Sequence, residues 1–158
     1  MVTLLSFDIA GQRFALPALL LREVVRAVAV ASLPKAPPII EGVINYRGTL
    51  VPVLNIRQRF GLGPRPLTPD QHFLIAHAGS RLVALRVDQA VDLVIASEAA
   101  IEPAASVVPG AEYVAGLAKL PDGLLVIQDL ERFLSLDEAE EATTALAESS
   151  LAEAGVPG

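Results

Sequence analysis

The sequence holds no cysteine and no tryptophan, and only 4% of its 158 residues are aromatic. Without cysteine there is no disulfide framework, no thiol nucleophile and no thiolate metal ligand. With few aromatics, the core has to be filled by aliphatic side chains, and a 53% hydrophobic content supplies them. Lysine is scarce: only Lys35 and Lys119 occur. That leaves no basic stripe for nucleic acid and no polybasic patch for anionic lipid. Apolar runs of the ~18 residues that a membrane helix needs are missing as well. The most apolar region, residues 14–33, is broken by Arg22, Glu23 and Arg26. The opening MVTLLSFDIAG has no basic segment ahead of its apolar residues, which argues against a secretory leader. These absences predict a cytoplasmic protein that neither inserts into a membrane nor binds nucleic acid.

Charge is present but unevenly placed. Residues up to Leu136 carry twelve acids and twelve bases, and residues from Asp137 onward carry six acids and no base. The net charge of −6 is therefore the tail's, and the body is neutral. This divides the chain into a body, residues 3–136, and an acidic Ala/Glu-rich tail, residues 137–158, read as a frayed helix that contributes little to fold or binding.

The body reads as short strands separated by Gly and Pro punctuation. Residues 4–9 and 13–16 form a hairpin across Gly11, followed by a single helical turn at 18–21 and a strand at 23–30. SLPKAPP, residues 32–38, is a proline-rich connector. Residues 43–46 and 49–54 form a second hairpin, and Asn55 caps a short helix that Gly61 stops. The loop 61–70, with three prolines and two glycines, is expected to join two halves and to be open to proteases. Beyond it come strands at 71–76, 82–87 and 91–95, an irregular connection at 97–112, a hairpin at 114–127 around Pro121-Asp122-Gly123, and a short helix capped by Asp129.

The listing repeats itself. FDIAGQRFAL matches IAHAGSRLVAL, aligning Gly11 with Gly79. EGVINYRGTLVPVLNIRQRF matches VAGLAKLPDGLLVIQDLERF, aligning Gly42 with Gly116, Gly48 with Gly123 and Asn55 with Asp129. About five strands per half suit two small all-β barrels, whose closure removes sheet edges and whose packing buries more apolar surface than either alone.

No catalytic constellation appears. His72 and His77 lie five apart on one strand and point to opposite faces, so they cannot share a metal. Asp88 and Asp92 bracket a turn, GLGPRP opens no helix as a phosphate loop would, and no GxSxG is present. No metal or other cofactor is called for. Arg47, a long cation at the tip of an apolar hairpin, is either a recognition residue or a solvated turn arginine.

The segments LLREVVR, SLPKAPPIIEGVINYRGTLVPVLNIRQRFGL, LVALRVDQAVDLV and EYVAGLAKLPDGLLVIQDLERFL resemble the CheW-like chemotaxis coupling proteins. The Gly–x–x–Asn–x–Arg–Gly core stands intact at Gly42, Asn45, Arg47 and Gly48. The resemblance implies two tandem SH3-like five-stranded barrels packed together. It also implies an adaptor without catalysis that bridges the cytoplasmic tip of chemoreceptors and the regulatory domain of the CheA histidine kinase in signalling arrays. A receptor helix would lie in a groove lined by Leu21, Glu23, Gly42, Arg47, Ala90 and Leu93. Kinase contacts would come from barrel edges, with the loop 101–109 suspected. Tyr46 stands where the family commonly has leucine, Asn55 where aspartate is common, and Glu102 where some relatives are basic. Two alternatives remain: a coupling protein of a chemosensory-like pathway controlling pili or gene expression, and a small-ligand protein using the inter-barrel groove. A buried pair of titratable groups in that groove would favour the last.

Overall fold

The computed structural model describes residues 1–103, 114–121 and 123–129. The strands are β1 (Val2–Ile9), β2 (Gln12–Pro17), β3 (Leu21–Arg26), β4 (Ile40–Tyr46), β5 (Thr49–Leu54), β6 (His72–Ala78), β7 (Arg81–Val87), β8 (Gln89–Ala96), β9 (Ile101–Pro103), β10 (Val114–Leu120) and β11 (Gly123–Gln128). One short helix, α1 (Ile56–Arg59), follows β5. Its start is the expected cap, with Asn55 Oδ1 accepting from the Gln58 amide at 3.2 Å. Its end is at Gly61, with φ 67°, where the Leu62 amide donates back to the Arg57 carbonyl at 2.8 Å. The expected helix after Asp129 and the tail lie outside the described residues.

The strands form two sheets, as the repeat predicts. The middle sheet runs β3-β6-β7-β5-β4, and the terminal sheet runs β8-β1-β2-β11-β10-β9. The loop 61–70 separates the sequence repeats but not the sheets, because it joins α1 to β6 beside the middle sheet. Each repeat instead hands its first hairpin to the other. β6 and β7 complete the sheet of β3, β4 and β5, while β1 and β2 complete the sheet of the C-terminal strands. The junctions are short parallel pairings, β5 with β7 and β11 with β2. The loop is also pinned: Gly63 O accepts from Arg57 at 2.7 Å and Arg65 O accepts from Arg86 at 2.9 Å. Gly61, Gly63, Pro64, Pro66, Pro69 and Asp70 are exposed along it.

This exchange explains the apolar composition. β1, β2, β6 and β7 are buried on both faces, so their sequences lack polar alternation. Phe73 and Ile75 enter the middle sheet's own core with Ile44, Tyr46, Val51 and Val53. Leu74, Ala76, Val83 and Leu85 face the other way, onto Leu5, Phe7, Phe14 and Leu16 of the terminal sheet. Among the described residues this shared cluster holds sixteen buried side chains, against eight and six in the two sheets' own clusters. Among the described residues, the largest core thus lies between the sheets.

Within 97–112, where an irregular connection was expected, residues 101–103 form β9, which pairs with β10 and makes the terminal sheet six-stranded. Its counterpart in the middle sheet is a single bridge from Ala31 to Val43. Both crossings pass over the glycines that the repeat aligned. A Cβ on Gly42 would lie 2.2 Å from the Ala31 carbonyl oxygen, and one on Gly116 2.7 Å from that of Glu102. Close backbone approach, rather than unusual backbone angles, fixes these two positions as glycine.

Candidate partner-binding site

Arg47 and Gly48 are the two loop residues between Tyr46 and Thr49. Both have positive φ, 50° and 85°, the pattern of a type I′ hairpin turn. Gly48 suits it. Arg47 does not, since a side chain in this region costs about 1 kcal/mol relative to glycine. Asn45 steadies the turn by accepting from the Gly48 amide at 2.8 Å. The arginine is thereby held at the tip, with its side chain 68% exposed.

A bulge sets its partner. In β3, Leu21 pairs with Ala76 while Glu23 pairs with the adjacent Ile75, with Arg22 as the extra residue. Simple alternation would put Leu21 and Glu23 on one face. The bulge turns them apart. Leu21 joins the shared core. Glu23 turns to the side of Ile75 and Tyr46 and meets both ends of the β4–β5 hairpin. Tyr46 Oη donates to Glu23 Oε2, and Arg47 Nη2 donates to Glu23 Oε1 at 3.0 Å. The Arg47 guanidinium also lies over the Tyr46 ring, 5.3 Å from its centroid. β3 and β4 stand at opposite ends of the sheet order, so this cluster also closes the sheet into a barrel.

The six residues expected to line one groove fall into four settings. Glu23 and Arg47 form the polar cluster with Tyr46. Leu21 and Ala90 pack against the shared core from equivalent edge strands. Leu93, on edge strand β8 and paired with Leu5, is 58% exposed, and Ile95 two residues on is 64% exposed. Gly42 is buried beneath Ala31 and Val30. There it shapes the fold and presents no side chain to a partner. Ile95 was overlooked in the sequence because an apolar residue in a strand reads as core. Alternation with buried Ala96 and half-buried Val94 was the available signal.

Asp88 was read as ordinary turn chemistry, and it is more than that. At the passage from β7 to β8 it accepts from the Ala10 amide (2.8 Å), Arg57 Nη2 (2.7 Å) and Gln71 Nε2 (3.3 Å), and Arg65 Nη1 lies 3.2 Å away. Desolvation pushes its carboxyl up, but the Ala10 amide, Arg57 and Arg65 outweigh burial and hold it below the usual aspartate range. The carboxylate latches the β1–β2 turn of one sheet to α1 and the loop of the other. Glu41 behaves oppositely: burial pushes its carboxyl up, and Arg86, 3.0 Å away, lowers it less. That contact lacks hydrogen-bond geometry. Among the described residues, no group of three or more His, Asp or Glu side chains is arranged to hold a metal ion.

Two small β units sharing one core, with an exposed apolar edge and a cation held out on a turn, define a binding scaffold. The comparisons with known proteins give the family. A model described as the CheW-like domain matches residues 3–138. The probable chemotaxis protein CheW of Rhizobium etli is 26% identical over 141 residues, covering 88% of this chain and 91% of that protein. The chemotaxis protein CheW of Klebsiella aerogenes is 27% identical, with 85% and 82% covered. Protein FrzA of Myxococcus xanthus is 28% identical over 87 residues, 55% of this chain and 54% of FrzA. The crystal structure of scaffolding protein TtCheW from Thermoanaerobacter tengcongensis superposes with a TM-score of 0.79 at 29% identity, covering 87% of this chain and 94% of that one. The chain belongs to the CheW-like family, the scaffold proteins of chemotaxis.

Proposed function

We propose that this protein is a non-catalytic adaptor that couples the cytoplasmic tip of chemoreceptors to the regulatory domain of the CheA histidine kinase, in the cytoplasm at receptor arrays. The observation that carries the proposal is the likeness to a scaffolding protein across both sheets. The surface supports it. Leu93 and Ile95 offer an apolar strip at the rim of the shared core. Arg47 offers an outward charge at the β4–β5 turn, where it can donate to polar groups of a receptor helix. Leu21 and Ala90, half-buried against the shared core, complete the expected contact set. The small-ligand reading gains nothing from Asp88, Arg57 and Arg65, which are engaged with one another.

The test is reconstitution from three purified parts. A receptor-tip fragment and the CheA regulatory domain should co-sediment only when this protein is added. Co-sedimentation without it, or binding to neither part, contradicts the proposal. Receptor fragments from different pathways, used in parallel, separate a chemotactic role from one in pili or gene expression.

A further inference from the structure

We propose that Tyr46 is the positioning residue of the receptor contact, orienting Arg47 toward an anionic group, such as a carboxylate, on the partner helix. The inference rests on the adaptor reading above and adds a residue and a partner chemistry to it. In the sequence Tyr46 was only a departure, an aromatic where leucine is common, with no role attached.

The geometry gives it one. The Tyr46 side chain is 7% exposed, its ring packed in the middle sheet's own core with Ile44, Val51, Val53 and Phe73. A ring fixed on that side has its hydroxyl fixed too. That hydroxyl donates to Glu23 Oε2, and Arg47 Nη2 donates to Oε1 at 3.0 Å while lying 3.0 Å from Oε2 as well. The ring meanwhile sits under the guanidinium, 5.3 Å from centroid to Cζ. Arg47 is therefore held on two sides, by a carboxylate that Tyr46 has pinned and by the face of Tyr46 itself. A leucine at 46 would supply neither. An exposed arginine with four free torsions loses rotamer entropy on meeting a partner, and holding it beforehand removes part of that cost.

The guanidinium is a planar fork of donors. Among the described residues, Glu23 is its one carboxylate partner, engaged through Nη2. With the side chain 68% exposed at a turn tip, the rest of the fork is open to a carboxylate, which accepts two parallel bonds. Glu23 sets the opposite requirement: a second carboxylate is welcome only on the arginine's far side, since like charges brought together repel. Position 46 thus sets how strongly the site selects an acidic residue at one place on the partner helix.

The experiment is a double-mutant cycle on the full-length protein, read against a receptor-tip fragment, with a probe-free arm beside it. Tyr46→Phe keeps the ring and the core packing and removes only the hydroxyl. Its affinity for the fragment should fall about five-fold, the scale of one lost hydrogen bond, with the melting midpoint little moved. In an Arg47→Ala background the same change should cost nothing further, because the residue through which Tyr46 acts is gone. An equal loss in both backgrounds overturns the proposal, since a structural or direct role of Tyr46 would persist without Arg47. The probe-free arm follows the Arg47 side-chain Nε–Hε resonance by NMR. It should be displaced by the ring current in the wild type and averaged in Tyr46→Leu. An unchanged resonance in Tyr46→Leu overturns the proposal whatever the partner does. Failure of the wild type to bind the fragment counts against the adaptor reading, while the resonance still decides the role of Tyr46.

Discussion

In the middle sheet a chain segment crosses over Gly42 and leaves a single bridge at Ala31, whereas in the terminal sheet the same crossing becomes strand β9 over Gly116. The edge strands differ as well. β3 and β8 carry matching bulges, at Arg22 and Val91, so their registers correspond residue by residue. Glu23 matches Asp92, Val24 matches Leu93, and Arg26 matches Ile95. One edge is finished with an ion pair around Arg47 and the other with exposed leucine and isoleucine. The duplicated plan supplies rigidity, and the unequal finish supplies two chemically unlike surfaces.

The crossings give the largest expected effect. Gly42→Ala would drive a methyl into backbone at 2.2 Å and displace the paired Ala31–Val43 hydrogen bonds of 2.9 and 2.8 Å. Unfolding in urea should report a loss of about 4 kcal/mol. Gly116→Ala, with 2.7 Å to yield against, should lose about 2 kcal/mol. The reverse order would break the correspondence drawn between the two crossings.

Asp88 binds the two sheets to each other and comes next. Asp88→Ala leaves Arg57 buried without its carboxylate and should cost about 3 kcal/mol. The pH dependence has a definite sign. Because the folded carboxyl is held low, its stabilisation is complete above the ordinary aspartate value of about 4 and is lost as pH falls through the lower folded value. Glu41 runs the other way: its carboxyl is raised, so charging it burdens the folded state and acid relieves that burden. Denaturant curves between neutral and acid pH should therefore show an acid-labile portion that disappears in Asp88→Asn. Its persistence in that variant would assign it elsewhere.

The hairpin exchange sharpens the comparison in a way needing no substitution. A chain cut within 61–70 should remain one particle by native gel filtration, because each fragment supplies a hairpin to the other's sheet. Separation of the fragments under native conditions would contradict the exchange.

The turns give the smallest stability effect. Arg47→Ala removes an exposed ion pair and should cost about 0.5 kcal/mol or less. Arg47→Gly should be about 1 kcal/mol more stable than Arg47→Ala, because glycine accepts φ 50° without strain. Equal melting of the two variants would show that the turn relaxes around the side chain.

The hairpins at Gly11, Arg47-Gly48 and Gly79, the Asn55 cap and the repeat aligning Gly42 with Gly116 were legible because each is local chemistry. Which sheet a hairpin joins was not. β6 and β7 read the same whether they pair with β3 and β5 or with their own repeat, and the choice is made by a core assembled from distant strands. The site was legible in part for the same reason. Arg47 announces itself as a cation at a turn tip, but one bulged residue, Arg22, decides that Glu23 and not Leu21 stands beside it. Asp88 was misjudged because its donors come from Ala10, Arg57, Arg65 and Gln71, which nothing in their spacing connects.

The adaptor reading stands or falls most directly on Arg47. Wild type and Arg47→Ala should be titrated against a receptor-tip fragment and, separately, against the CheA regulatory domain, with melting curves alongside. Receptor affinity should weaken by roughly 2 kcal/mol, the scale of an interface hot spot, with kinase-domain affinity and melting nearly unchanged. Unchanged receptor affinity, or equal loss toward both partners, would contradict Arg47 as the receptor-specific contact.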